Sequence, residues 1–196
     1  MKMANKILCS VAAVIGLITG GTAFYGDEFV KPVGQVVIEG QPLGELRISP
    51  KGLELIGNAE GCRQDPYRCP AGLSTNGIGN THDVPDQIVT LEQIAKDWVK
   101  NIQEAERCVV AAEGISGNTM SSGQFDSFTS FVFNFGCTKF RVNKDGSYTR
   151  IYSAIRQGDY SKACSHIPEW VKNQGVVMRG LVIRRNLEYE RCMELD

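Results

Sequence analysis

Glu60-Gly61-Cys62-Arg63-Gln64-Asp65-Pro66-Tyr67-Arg68-Cys69-Pro70-Ala71-Gly72-Leu73-Ser74-Thr75 carries an acid, two cysteines seven positions apart and a hydroxyl at the start of an expected hairpin. Just upstream, Ser49-Pro50 is a strong helix start, with Ser as N-cap and Pro at the first helical position. Leu53, Ile56 and Ala59 follow at helical spacing with Leu55 beside them, and Gly61 is placed to end the helix in a left-handed conformation. Glu60 thus falls at the C-terminal end, where the helix dipole disfavours a carboxylate and favours the protonated form that a general acid needs. Downstream, Pro70-Ala71-Gly72 reads as a turn, and Leu73 to Gly79 alternates loosely around the tight-turn dipeptide Asn76-Gly77. A small antiparallel sheet is predicted there, with Thr75 set across from the end of the Glu60 helix. An acid, a thiolate and a water-holding hydroxyl suffice for hydrolysis, and the same two cysteines closed on each other would prevent it. Asp65 is a rival acid, but it lies too near Glu60 along the chain to face it across a substrate.

Beyond this stretch the chain reads as helices. Thr90 with Gln93 makes a capping box, followed by Ile94, Trp98, Ile102, Ala105 and Val109 on one face to an end near Gly114. Ser121 with Gln124 repeats the device and leads into Phe125, Phe128, Val132 and Phe133, apolar enough to be the buried centre of a bundle. Shorter helices are predicted over 147–157 and 159–172, and a last one over 178–193 with Leu181, Arg184, Arg185 and Glu188. The spacing of the aromatics is that of packed helices, so they read as core rather than as a ligand box.

Ahead of it, the short positive segment Met1-Lys2-Met3-Ala4-Asn5-Lys6 precedes a run from Ile7 to Gly26 without a charge. That order is the signature of a Sec-type export segment. The run is long enough for a bilayer span, which takes roughly 20 residues. Gly16, Gly20, Gly21, Ser10, Thr19 and Thr22 dilute its Val, Ile and Leu, so the span is weak enough to hold a protein in the membrane and later leave it. Gly21-Thr22-Ala23 also reads as a small-residue cleavage site, but Cys9 would be a strange feature of a discarded peptide. Both readings place the remainder outside the cytoplasm. Residues 27–48 read as a connector with a small hairpin, Gln35–Glu39 against Glu45–Ser49 around Gly40-Gln41-Pro42-Leu43-Gly44.

The whole chain of 196 residues fits one globular domain plus extras, with 42% hydrophobic and 22% charged residues. A net charge of −1 gives no electrostatic case for nucleic-acid binding. Seven cysteines point to disulfides in an oxidising compartment with one thiol left over. No cysteine or histidine pattern has metal-ligand spacing, and His82 and His166 form no triad with their sequence neighbours. No metal and no cofactor are expected.

Glu60, nine positions to Cys69, six more to Thr75, and Gly77-Ile78-Gly79 together resemble the catalytic segment of the T4-type lysozymes, glycoside hydrolase family 24. The resemblance covers roughly residues 50–195 and includes Phe133-Asn134-Phe135-Gly136 and Gly180-Leu181-Val182-Ile183-Arg184-Arg185. Most of that family has Asp where Cys69 stands. Glu60-Gly61-Cys62, Cys69-Pro70-Ala71-Gly72, Asn76-Gly77-Ile78-Gly79-Asn80-Thr81-His82 and a lone Cys9 in the anchor resemble a narrower group, the signal-anchor-release (SAR) endolysins.

The resemblance implies an α+β, mainly α, T4-lysozyme-like fold: a small antiparallel sheet with a catalytic cleft, and a helical bundle domain, preceded by an N-terminal membrane anchor helix. The expected division is 1–26 anchor, 27–48 connector and 49–196 catalytic domain. The implied reaction is hydrolysis of the β-1,4 bond between N-acetylmuramic acid and N-acetylglucosamine in peptidoglycan. Glu60 would protonate the leaving oxygen, Cys69 as thiolate would stabilise the sugar cation or activate water, and Thr75 would hold that water. Arg179 is the expected partner of Glu60.

Spacing alone makes Cys62–Cys69 a permanent surface clip. Yet Cys108, Cys137, Cys164 and Cys192 can form two bridges by themselves, with neighbour pairing the working choice among three. Cys9, Cys62 and Cys69 then allow one bridge and one thiol at a time. The expectation is a switch in which Cys62–Cys69 is closed until the anchor leaves the membrane and Cys9 exchanges onto Cys62. Expected partners are peptidoglycan, the host Sec machinery and the inner membrane, with no nucleic acid and a monomeric chain. The protein would sit first in the host inner membrane and then in the periplasm. Two alternatives stand: a non-catalytic exported peptidoglycan-binding domain, and a constitutively active secreted lysozyme with a cleaved signal.

Overall fold

The polypeptide entering the first long helix of the domain is gripped before the helix begins. Ile48 donates its N–H to buried Glu106 at 2.6 Å, and Ser49 donates its N–H and hydroxyl to buried Asp126 at 2.8 and 2.5 Å. Ser49 Oγ in turn accepts from Gly52 N, so the predicted N-cap starts helix α2 (Pro50–Glu60). These coordinates come from a computed structural model that describes residues 6–21, 26–69 and 72–194. Thr22-Ala23 of the expected cleavage site, and Pro70-Ala71 of the expected turn, lie outside the described residues.

In chain order the elements are α1 (Val11–Ile18), β1 (Gly34–Ile38), β2 (Gln41–Leu46), α2, β3 (Arg63–Arg68), β4 (Ser74–Gly77), α3 (Leu91–Ser116), α4 (Ser122–Phe135), α5 (Cys137–Arg141), α6 (Arg150–Arg156), α7 (Tyr160–Ser165), β5 (Lys172–Asn173), β6 (Val176–Val177) and α8 (Arg179–Cys192). The strands form three antiparallel pairs, β1–β2, β3–β4 and β5–β6. The result is mainly helical with small antiparallel sheets.

Helix α3 has 26 residues, and at 1.5 Å per residue it is about 39 Å long, enough to run through two cores. Its first half, with Ile94, Trp98, Val99 and Ile102, packs with α1, the β1–β2 hairpin and α2. Its second half, with Ala105, Val109 and Ala112, packs with α4, α6 and α7 around Phe128, Phe131 and Phe140. Phe133 is packed against both clusters. Two disulfides staple the second core: Cys108–Cys137 ties α3 to α5, and Cys164–Cys192 ties α7 to α8. Closing loops of this size is worth about 3–4 kcal/mol each in the chain-entropy model.

Several local expectations change in detail. The Ser121 capping box is complete, but at Thr90 only half of one forms, because the Gln93 side chain turns outward to Asp97. The predicted 159–172 helix stops at Ser165, and Pro168 lies in the short 3-10 turn Ile167–Glu169 that follows. Helix α5 and the β5–β6 hairpin are too short to leave a periodic signal. Ala59, expected on the buried face of α2, is exposed, and Gly57 is buried in its place.

The charge-free run behaves differently from a bilayer span. Its helical part, α1, has eight residues, about 12 Å, against a hydrocarbon core of about 30 Å. No described helix is long and apolar enough to cross a membrane. Instead Val14, Ile15 and Ile18 are at most 3% exposed and belong to the first core, against α2 and α3. Burying each contributes roughly 2 kcal/mol. Gly57 makes the approach possible, since a Cβ there would lie 2.3 Å from Val11 Cγ1.

Burial, only partly offset by hydrogen bonds from the Ile48 and Arg47 backbone, pushes the Glu106 carboxyl up to about 7. The folded chain therefore holds this proton more tightly than the unfolded chain does. The resulting stabilisation is complete below the ordinary value of 4.5 and is lost as pH rises through about 7. The thermal midpoint should fall by several degrees between about pH 5 and about pH 8, and Glu106→Gln should remove part of that slope. Differential scanning calorimetry across that range checks both.

Candidate active site

Glu60 is the last residue of α2, and Gly61 caps the helix with its N–H on Gly57 O. Gly61 takes φ 72° and ψ −178°, a glycine conformation but not the left-handed helical one expected. The chain therefore leaves in an extended direction, straight into β3. The Glu60 carboxylate accepts from Arg184 Nη1 at 2.5 Å and is itself 22% exposed. Arg179, the expected partner, is the first residue of α8 and is exposed. Arg184, more than a turn further on, takes the role.

Arg184 is held from behind. Its Nε donates to Glu188 Oε1 at 3.1 Å, and Nη2 donates to the Ser130 carbonyl at 3.2 Å. Ser130 Oγ donates to Glu188 Oε1 at 2.6 Å, and Arg185 Nη2 reaches the same oxygen at 2.9 Å. Arg185 is fully buried, its guanidinium 4.8 Å from the ring centre of Phe131 and 5.0 Å from that of Phe135. Thus α8 turns a charged face inward and leaves Ile183 and Leu187 exposed, the reverse of an ordinary amphipathic helix. Propensity and periodicity miss such a face; the Arg184–Glu188 spacing of four is the signal that points to it.

The hairpin supplies the other candidate groups. Tyr67 stands opposite Thr75, and Arg68 opposite Ser74, with an irregularity between Arg63 and Tyr67. Thr75 is buried, and its hydroxyl donates to the Leu73 carbonyl at 3.1 Å, which leaves its lone pairs for an incoming donor. Past Gly77 the chain turns so that Asn76 and Asn80 exchange both backbone hydrogen bonds. This turn brings Gly79, at φ +67°, against the acid: a Cβ there would sit 3.1 Å from Glu60 Oε2. The Gly77-Ile78-Gly79 motif is thus the wall that faces Glu60.

Cys69 follows β3 and is partly buried, its N–H donating to Leu73 O at 2.9 Å. Tyr67 links it to the acid. Its hydroxyl is pushed up by burial and then by the nearby charges of Glu60 and Cys69, against the pull of Arg63. Tyr67 was not legible as a site residue from the sequence. It stands across from Thr75 in the hairpin and within electrostatic reach of Glu60 and Cys69.

Cys9, Cys62 and Cys69 are found in one arrangement. Cys9 is bonded to Cys62, and Cys69 stands outside all three bridges. Six residues of strand separate Cys62 from Cys69. An extended run of this length, even shortened by the irregularity between Arg63 and Tyr67, holds their Cα atoms well beyond the separation of about 4.4–6.8 Å that a disulfide needs. His82 lines a small cavity with Gly79, Asn101 and Phe133, and His166 Nδ1 pairs with Glu169 at 2.9 Å. A larger cavity of about 1000 Å³ opens between α2 and α8, lined by Glu60, Asn58, Asn134, Leu181 and Arg184. Asp65 is engaged with Arg63 and with the backbone of Ile7 rather than with the cleft.

The chain is similar to known proteins along this same geometry. It is 45% identical over 156 residues to the SAR-endolysin of Escherichia phage P1, covering 76% of this chain and 83% of that one. It is 34% identical over 198 residues to the SAR-endolysin of Haemophilus phage HP1, covering 98% and 97%. In structure it is similar to the active form of P1 phage endolysin Lyz, with a TM-score of 0.77 at 38% identity over 96% of both chains. Against the secreted inactive form of the same protein the TM-score is 0.54 at 44% identity, over 75% of this chain and 96% of that one. The family model described as phage lysozyme matches residues 57–188, the span that holds Glu60, the β3–β4 hairpin and Arg184, and the chain belongs to that family.

Proposed function

We propose that this phage lysozyme is a SAR endolysin that hydrolyses the β-1,4 bond between N-acetylmuramic acid and N-acetylglucosamine in peptidoglycan, for host lysis and phage release. The observation that carries the regulatory part is the Cys9–Cys62 bridge, which leaves Cys69 at the far end of an intact β3.

Glu60 is the general acid, and Arg184 fixes its rotamer by one strong contact while the Glu188–Ser130–Arg185 network fixes Arg184. Cys69, reduced and deprotonated, supplies the anion that flanks the developing sugar cation or takes a proton from water, and Thr75 accepts from that water.

In the held state the run from Ile7 to Gly26 occupies the inner membrane after Sec export, Cys9 is sequestered, and Cys62 is bonded to Cys69. That bond cannot form across an extended β3, so closing it dismantles the strand as well as masking the sulfur. When the anchor leaves the bilayer, Val14, Ile15 and Ile18 find a second apolar site on α2 and α3. The Cys9 thiolate attacks Cys62 Sγ, the Cys9–Cys62 bond forms, the Cys62–Cys69 bond breaks, and the electron pair leaves on Cys69. One proton goes from Cys9 to solvent and the number of disulfides is unchanged. The lysozyme then acts in the periplasm.

Two outcomes test this reading. With the full chain in the Cys9–Cys62 form, Glu60→Gln and Cys69→Ser should each cut lysis of outer-membrane-permeabilised Gram-negative cells by about 100-fold or more, with circular dichroism unchanged. Activity within a few-fold of the parent would remove that residue from the chemistry. Separately, the Cys9→Ser chain extracted from membranes should be silent and become lytic on mild reduction. Lysis before reduction would leave a constitutive enzyme, the second reading considered above.

A further inference from the structure

The edge of β3 carries more than a disulfide to the anchor. Gln64 donates its N–H to the Ile7 carbonyl at 2.8 Å, Cys9 donates its N–H to the Cys62 carbonyl at 3.1 Å, and Leu8 bridges Arg63 in antiparallel register. Residues 7–9 therefore form a short added strand beside β3, on the edge that β4 does not use. A third contact comes from a side chain: Asp65 Oδ1 accepts the Ile7 N–H at 2.7 Å. Asp65 is itself fixed by Arg63, whose Nε donates to Oδ1 at 2.9 Å and whose Nη2 engages the other oxygen. Arg63 lies over the Tyr67 ring at 4.6 Å, so the clamp rests on the hairpin.

These contacts fix register, and register decides which sulfur meets which. Successive strand residues point to opposite faces, so a slip of one residue would turn Cys9 away from Cys62. Two backbone hydrogen bonds pair residues 7–9 with the edge of β3. The Asp65 contact is different: it takes the first N–H of the arriving strand with a charged acceptor, two residues before Cys9. Gly57 accepts Val11 two residues after Cys9, which leaves the cysteine held on both sides.

We propose that Asp65 is a positioning residue for the thiol–disulfide exchange: it captures the Ile7 N–H of the released anchor, sets the strand register on β3 and so aligns the Cys9 thiolate with Cys62. Asp65 touches no reacting atom, and its role rests on the switch described under Proposed function. Strand capture also stabilises the extended β3 that carries Cys69 away from Cys62.

The test uses the full chain held in lipid vesicles with Cys62–Cys69 closed, then released by detergent. Formation of Cys9–Cys62 is followed by quenching with a thiol-alkylating reagent and mapping the bridged peptides by mass spectrometry. Asp65→Ala should slow this exchange about tenfold, the loss of one hydrogen bond to a charged acceptor, and Asp65→Asn should recover part of the rate. Ile7→Pro removes the donor while keeping the carbonyl that Gln64 uses, and should slow it by a similar factor. The double variant should be no slower than either single one, since both remove the same contact. All of them should reach parental lytic activity when Cys62–Cys69 is opened by reductant. Exchange at the parental rate in Asp65→Ala, or additive slowing in the double variant, would overturn the clamp while leaving the switch. A parental chain that never forms Cys9–Cys62 would overturn the switch and the clamp together.

Discussion

Every distance in the site depends on α2 being held at both of its ends by buried charge. At the start, Asp126 receives Ser49 twice and also receives Arg191 Nε and Nη2 from α8 at 3.0 and 2.8 Å. At the finish, Glu60 receives Arg184 from the same α8. One helix thus sets the ends of another, and the acid cannot drift along the cleft without breaking a guanidinium contact. Buried ion pairs of this kind add little net stability compared with apolar packing, but removing one partner is expensive. Their value here is placement: they fix where a carboxylate points.

The same frame gives the charge-free segment a home in the domain: the first core takes three of its side chains into burial against Leu53, Ile56 and Trp98. The switch proposed above requires the bilayer as its second home. A strongly apolar span would never leave the membrane, and a polar one would never enter it. Ser10 and Thr19, which weaken the segment as a span, also serve the docked form. Ser10 caps α1 by accepting from Ala13 N, and Thr19 bonds back to Ile15 O. Residues that read as dilution in the sequence also cap and close a short helix packed on the domain.

Much of this was legible from residue order. The α2 start at Ser49-Pro50, the Ser121–Gln124 box and the buried stripe of α3 follow from local rules that need no partner. The Glu60, Cys69 and Thr75 spacing carried the family resemblance. What stayed hidden depends on tertiary context. The inward charged face of α8 violates amphipathic patterning, so residue order points to Arg179 where Arg184 pairs with Glu60. Gly79 matters because a turn brings it against Glu60, and Tyr67 because strand register sets it across from Thr75, neither of which spacing encodes. Asp65 looked like a spare acid because its partner, Ile7, lies 58 residues away in the chain.

The central claim is that docking of the released anchor builds the extended β3 that separates Cys69 from Cys62. Amide hydrogen–deuterium exchange of the 63–68 segment reads it most directly, compared between the full chain held in lipid vesicles and the same chain after release. Protection that is absent while the chain is held and appears on release is the expected result. Equal protection in both states would mean that β3 is already formed in the held chain. The anchor would then control only the location of the enzyme.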